Sequence, residues 1–183
     1  MERKGDWAQI YSGEKFWPLD PKPEEVSLKD IAHSLALQCR FNGHSDVFYS
    51  IAQHSVLVSK VVSQEQALAA LFHDASEAYT GDMVSPLKKF LPPEFKMIEK
   101  EIENAVFEHF GIKHETVDHV EIKRADKIAL FTEMRDLMKE PPSKWDDVDL
   151  FQPHTDKIIP LSPEEAEKEF LDRFNELTKG KEQ

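Results

Sequence analysis

Leu71-Phe72-His73-Asp74-Ala75-Ser76-Glu77 sets an adjacent histidine and aspartate in the middle of an apolar stretch. A carboxylate is expensive to bury unless it is paired, hydrogen-bonded or bound to a metal. The surrounding residues Ala67, Ala70, Leu71 and Ala78 have helical spacing, and Asp74 falls on the same inward stripe. Ser63 and Gln66 have the spacing of a capping box ahead of that run, and Gly81 stands where such a helix would end. The segment therefore predicts one helix with a polar doublet turned toward a core.

Helical patterns extend from it in both directions. Ser27-Leu28-Lys29-Asp30 reads as an N-cap with a carboxylate at the third helical position, ahead of Ile31, Leu35 and Ala36 on one face. A second helix is predicted from near Phe48 through Ile51, His54, Ser55, Val58 and Val62. Beyond the prolines 86, 92 and 93, residues Glu94 to Phe110 carry Phe95, Ile98, Ile102, Ala105, Val106 and His109 at helical spacing, closed by Gly111. Residues Glu115 to Lys139 predict a long helix with Val120, Ile122, Ala125, Ala129, Leu130 and Leu137 inward, stopped by Pro141 and Pro142. Ser162-Pro163-Glu164-Glu165 starts a last helix, whose Phe170, Phe174 and Leu177 are core or dimer contacts. The fold expected is an all-α bundle of about six or more helices.

A chain of 183 residues is the size of one domain. It divides into an N-terminal arm (1–26) with a possible short hairpin, a helical core (27–140), a loop (141–161) and a C-terminal helix (162–179). The single cysteine, Cys39, excludes an internal disulfide framework and suits a reducing compartment. No run approaches the roughly 18 apolar residues of a membrane span, and Met1-Glu2-Arg3-Lys4-Gly5-Asp6 has no signal-peptide core, so the expected location is cytoplasmic. A net charge of −12 argues against a broad nucleic-acid or anionic-membrane surface, since both need a positive footprint.

Three polar residues interrupt apolar stripes on three separate helices: His54, Asp74 and Asp126. With His73 they make two imidazoles and two carboxylates, a set that suits one borderline or hard divalent ion such as Mn, Co, Fe, Zn, Ni or Mg. Each has a plainer reading when taken alone. His54 can be a hydrogen-bonded core histidine, Asp126 can pair with Lys123, Arg124 or Lys127, and His73-Asp74 can be a helix-end pair.

The order His54, His73-Asp74, Asp126 resembles the HD superfamily of metal-dependent phosphohydrolases. Longer stretches narrow the resemblance: Cys39-Arg40-Phe41-Asn42-Gly43-His44, Phe48-Tyr49-Ser50-Ile51-Ala52-Gln53-His54, and His73 through Asp82 followed by Pro86-Leu87-Lys88. These are similar to the branch of YfdR-like proteins related to the 5′-deoxynucleotidase YfbR, over nearly the whole chain. The resemblance implies an HD-domain bundle with a metal held by His54, His73, Asp74 and Asp126. It further implies an enzyme that hydrolyses small nucleotides, most simply a 5′-deoxynucleotidase releasing phosphate from deoxynucleoside monophosphates. Two alternatives stay open: a deoxynucleoside triphosphate triphosphohydrolase of the dATPase or dGTPase kind, and a non-catalytic nucleotide-sensing module. Relatives of this kind are often dimers or larger, so a homo-oligomer is expected.

The same resemblance gives individual residues their expected roles. Asp74 would orient the attacking water as well as bind metal, and Glu77, three residues on, is the candidate general acid or base. A solvated surface glutamate is its plainer reading. Arg40 offers a planar fork to phosphate and Phe41 an apolar face to sugar or base. YfbR-like enzymes carry Arg-Trp at this place, and the change to Phe41 removes an indole donor, which leaves base and sugar selectivity open. Asp82 and Ser85 match the segment that holds the nucleotide, with Asp82 able to accept from a 3′-hydroxyl. Lys88 is a further phosphate candidate, and His44 contacts phosphate or caps a neighbouring helix.

Overall fold

Eight α-helices follow a two-stranded antiparallel hairpin in the computed structural model, which describes residues 3–179. Strands β1 (Ala8–Gln9) and β2 (Lys15–Phe16) pair with Ala8 opposite Phe16. The helices are α1 (Leu28–Leu37), α2 (Ile51–Val61), α3 (Ala67–Leu71), α4 (Glu77–Thr80), α5 (Ser85–Lys88), α6 (Pro93–His109), α7 (His119–Leu137) and α8 (Pro163–Thr178). The all-α expectation with a short hairpin holds, and no helix among the described residues is long and apolar enough to cross a membrane.

The core forms where α1, α2, α3, α7 and α8 turn apolar stripes on one another. Ser27 starts α1 by accepting the Asp30 backbone N–H, and Ile31, Ala32, Leu35 and Ala36 are buried behind that cap. Helix α8 begins with the expected capping box between Ser162 and Glu165. Its Ala166, Phe170 and Leu177 are buried in the same core, which decides between core and dimer contact for that stripe in favour of the core. Phe72 knits the layers: its ring stacks on Phe110 at 4.2 Å and meets the edges of Phe170 and Phe174 at 5.8 and 5.9 Å. Truncating Phe170 to alanine would cost about 3–5 kcal/mol, as for other fully buried aromatics.

Several boundaries differ from the sequence reading, each for a physical reason. Helix α2 starts at Ile51 rather than near Phe48, because Ser50 caps it and Tyr49 is extended, its carbonyl accepting from Arg40 N at 2.9 Å. The single helix expected through His73-Asp74 is two, α3 and α4, joined by tight turns. Ala75 N donates to Phe72 O and Glu77 N to Asp74 O, both at 3.0 Å, so the chain winds with three residues per turn where an α-helix needs 3.6. Over one or two turns those periods give the same apolar spacing. The capping box at Ser63 and Gln66 does not form. Ser63 N donates to Glu121 at 2.6 Å and the Gln66 side chain accepts from Asp118 N at 2.8 Å, so both residues hold the start of α7. Helix α7 begins at His119 with Asp118 as cap, and Val120, expected inward, is exposed. His109 is likewise exposed, its Nδ1 2.7 Å from Pro23 O.

Candidate metal centre and adjoining cleft

Helix α2, the α3–α4 turn and α7 converge on one point. The donor atoms of His54, His73 and Asp74 all lie within 4.8 Å of one another. Asp74 Oδ2 is 3.2 Å from His73 Nε2 and 3.5 Å from His54 Nε2, and Asp126 Oδ1 adjoins the group 3.2 Å from His54 Nε2. Asp126 pairs with none of Lys123, Arg124 and Lys127.

The ring nitrogens show what these side chains are arranged for. His54 Nδ1 is 2.6 Å from Glu133 Oε1, and His73 Nδ1 is 2.8 Å from the Ala70 carbonyl. Both acceptors fix the proton on Nδ1 and leave Nε2 as the free lone pair, the form in which imidazole ligates a metal. Both Nε2 atoms are buried and have no hydrogen-bond partner among the described residues. Adjacent donors around an ion with bonds near 2.1 Å sit about 3 Å apart, close to the spacings here. Charge points the same way. Asp74, Asp126 and Glu133 set three carboxylates against the one guanidinium of Arg40, and the two negative charges left over match a divalent ion. The residues present therefore fit such an ion.

Electrostatics within the cluster follow from that packing. Burial pushes the Asp74 carboxyl up, but His73, His54 and Arg40 together hold it well below the usual range. Asp126 is lowered against its burial by His54 and His73, and Glu133 against its burial by Arg40 and His54. Burial and Arg40 push His54 down, yet Glu133 and Asp126 outweigh them and lift it to about 9, so an ion binds at Nε2 by displacing a proton. Glu77 goes the other way. It heads α4, is only 5% exposed, and is pushed up to about 9 by burial and by the charges of Asp74 and Asp82.

Glu133 is the member that the sequence reading missed. It is fully buried and bridges the cage, with Oε1 on His54 and Oε2 3.3 Å from Arg40. A signal existed, since Glu133 stands four residues after Ala129 and seven after Asp126 on the inward face of α7.

Arg40, Phe41, His44, Asp82 and Ser85 line a cleft of about 630 Å³, within the size range of small-molecule sites. Arg40 belongs to both the cage and the cleft, its Nη1 3.6 Å from Asp74. The ring of Phe41 lies 5.4 Å from the guanidinium. Phe41, Asn42 and Gly43 are all left-handed, at φ 56°, 50° and 77°, a conformation that disfavours an aromatic residue and turns this segment sharply. Burial lifts the Asp82 carboxyl above its ordinary value. Lys88 does not line this cleft but a separate hollow of about 210 Å³ that it shares with His73, Asp74 and Glu77, 2.7 Å from Glu99 and 3.7 Å from Glu77, while its neighbour Lys89 faces the cleft. The loop after α7 supplies the other wall through Lys144, Trp145, Asp146 and Asp147. No periodicity marks that wall in the sequence.

Comparison with known proteins gives a family match and close relatives. A family model described as 5′-deoxynucleotidase YfbR-like matches residues 44–116, which include His54, His73, Asp74 and Glu77 but neither Arg40 nor Asp126. The uncharacterized protein YfdR of Escherichia coli strain K12 is 41% identical over 174 residues, covering 94% of this chain and 96% of YfdR. An uncharacterized protein of Rhodobacter capsulatus is 36% identical over 135 residues, 69% of this chain and 68% of the relative. The 5′-deoxynucleotidase YfbR of Photorhabdus temperata is 37% identical over 89 residues, 46% of this chain and 41% of that enzyme.

Proposed function

The chain belongs to the family of YfdR-like, YfbR-related HD-domain proteins, and we propose that it is a metal-dependent phosphohydrolase releasing phosphate from deoxynucleoside 5′-monophosphates. The observation that carries this reading is the pair of buried, unpartnered Nε2 atoms near Asp74, itself 3.6 Å from the Arg40 guanidinium that lines a nucleotide-sized cleft. His54, His73, Asp74 and Asp126 would hold the ion. When bound, it supplies a nucleophilic water near neutral pH and draws charge from a phosphate oxygen.

The remaining work falls to the side chains. Asp74, held ionised by His73 and His54, accepts from the attacking water and aims its oxygen at phosphorus. Arg40 brings its buried, unpartnered Nε–H and its charge to the phosphate where cage and cleft meet. Attack forms one P–O bond as the P–O5′ bond breaks, and the leaving oxygen takes a proton. Glu77, whose carboxyl is pushed up by burial and by the charges of Asp74 and Asp82, is the group we assign to that transfer. Lys88 acts on the reaction through Glu77, as a positioning residue. Phe41 faces the sugar or base, Asp82 accepts from the 3′-hydroxyl, and Ser85 and His44 complete the lining.

Lys89, Lys127 and Lys144 along the same cleft favour a second reading, in which a triphosphate chain is bound and released whole. Product analysis separates the two. Purified protein is incubated with Mn, Co, Mg or Zn and a panel of nucleoside mono- and triphosphates. Orthophosphate from a deoxynucleoside monophosphate supports the first reading and inorganic triphosphate the second, while no turnover on the whole panel leaves only a nucleotide sensor.

A further inference from the structure

A second cleft, of about 580 Å³, opens on the hairpin side of α1 and shares neither cage nor substrate residues with the first. Two stacked aromatic pairs line it. Tyr11 lies on His33 with ring centroids 3.6 Å apart, and Phe16 on Tyr79 at 3.8 Å. Between them stands Asp30, 3% exposed. Its Oδ1 accepts the Ser12 backbone N–H at 2.6 Å, while its buried Oδ2 has no partner among the described residues. The hydroxyl of Tyr79, also buried, lies within reach of the Ser27 backbone N–H, from which it accepts, while its own proton has no acceptor among the described residues. It is close enough to Asp30 that the carboxylate, after burial itself, makes the phenol harder to ionise.

An unmade hydrogen bond at a buried carboxylate is costly, and an unpaired carboxylate oxygen and an unused phenol proton in the lining of one aromatic cleft are better explained by a ligand than by the fold. Asp30 Oδ2 can only accept, and Tyr79 Oη is free to donate. That pair is the complement of an amino N–H beside an unprotonated ring nitrogen. Adenine and cytosine present this edge; hypoxanthine and thymine present a carbonyl beside an N–H, which reverses it. We propose that the cleft beneath the hairpin is a second ligand site, which takes an amino-bearing aromatic heterocycle of the adenine or cytosine kind, stacked on the aromatic walls and read by Asp30 and Tyr79. The site's α1 wall also touches the first cleft's supports. Ser34 Oγ donates to Ala78 O at 2.9 Å, and the Gln38 side chain donates to Glu77 O at 3.0 Å and accepts from Asp82 N at 3.3 Å.

The test uses the full-length, Mg-loaded, ¹⁵N-labelled protein titrated with deoxyadenosine, which has the amino edge and no phosphate, and with deoxyinosine, which has the reversed edge. Amide resonances of Ser12, Ser34 and Tyr79 report this cleft, and those of Asp82 and Trp145 the other. Deoxyadenosine should shift the first set saturably, with deoxyinosine weaker by about tenfold or more. Asp30→Asn and Tyr79→Phe should each weaken deoxyadenosine by a similar factor; the second keeps the stacked ring and so does not depend on refolding of the hairpin. The proposal is overturned if shifts are confined to Asp82 and Trp145, if the two nucleosides bind alike, or if Tyr79→Phe leaves the midpoint unchanged.

Discussion

Replacing Glu133 by alanine removes a buried side chain that hydrogen-bonds both His54 and Arg40. Its Oε1 accepts from His54 Nδ1 at 2.6 Å and its Oε2 faces Arg40 at 3.3 Å, with Glu133 and His54 both fully buried. After the change the His54 Nδ1–H has no acceptor, and Arg40 keeps only the 3.6 Å contact with Asp74. Removing one partner of a buried ion pair costs about 3–5 kcal/mol. In a domain of this size each kcal/mol moves the melting temperature by about 2–4 °C, so Glu133→Ala should melt about 6–20 °C below the parent. Loss of the group that orients a ligating imidazole also weakens metal binding by about 10–100-fold. Glu133→Gln restores an acceptor for Nδ1 but not the charge opposite Arg40, and should fall between. Calorimetric melting and Mn titration of the three proteins measure both effects. Were Glu133→Ala to melt within about 2 °C of the parent and bind Mn equally well, the reasoning about this residue would be refuted.

Asp126→Ala should lose bound ion and turnover together; retention of ion would remove Asp126 from the ligand set. Glu77→Gln should keep the ion and lose rate by about 10²–10⁴-fold, and an unchanged rate would end its assignment to proton transfer. Arg40→Lys, a point charge that cannot span Asp74 and Glu133, should weaken substrate binding by about ten- to a hundredfold, visible in KM. Asp136 is held by Arg135 and accepts from Ile158 N at 2.8 Å, tying the loop after α7 to the helix. Arg135 lowers its folded pKa, so the tie is at full strength above about pH 4, where an unfolded aspartate is ionised, and is lost as pH falls through the depressed value. The protection factor of the Ile158 amide should fall in acid before those of core amides do, and an equal fall would argue against a local tie.

How far the sequence could be read depended on what kind of signal each residue leaves. His54 and Asp126 are visible because each breaks a helical stripe, and the fold sets their side chains 3.2 Å apart. Asp74 stands out in the sequence as a carboxylate on an apolar stripe, but its conformation does not: the turn between α3 and α4 keeps the apolar spacing of a helix while its hydrogen bonds close three residues apart. Glu133 escaped because a glutamate among the charged residues of α7 looks solvated until its partners, His54 and Arg40, are brought from other segments. Trp145 and the lysines of the cleft lie in irregular chain or on half-buried faces, where neither periodicity nor a motif marks a binding wall. The Ser63 and Gln66 pattern misled for a related reason, since the same side chains that cap a helix locally can cap a distant one once the chain is folded.

If one ion held by His54, His73, Asp74 and Asp126 makes this chain a deoxynucleotidase, turnover must follow occupancy of that site. Phosphate release from dAMP, followed while Mn is added stepwise to metal-free protein, tests it most directly. The rate should rise with bound ion and saturate at one per chain, with no such rise in Asp126→Ala. Phosphate release at full rate without bound ion, or one ion bound per chain with no release from any deoxynucleoside monophosphate, would contradict it.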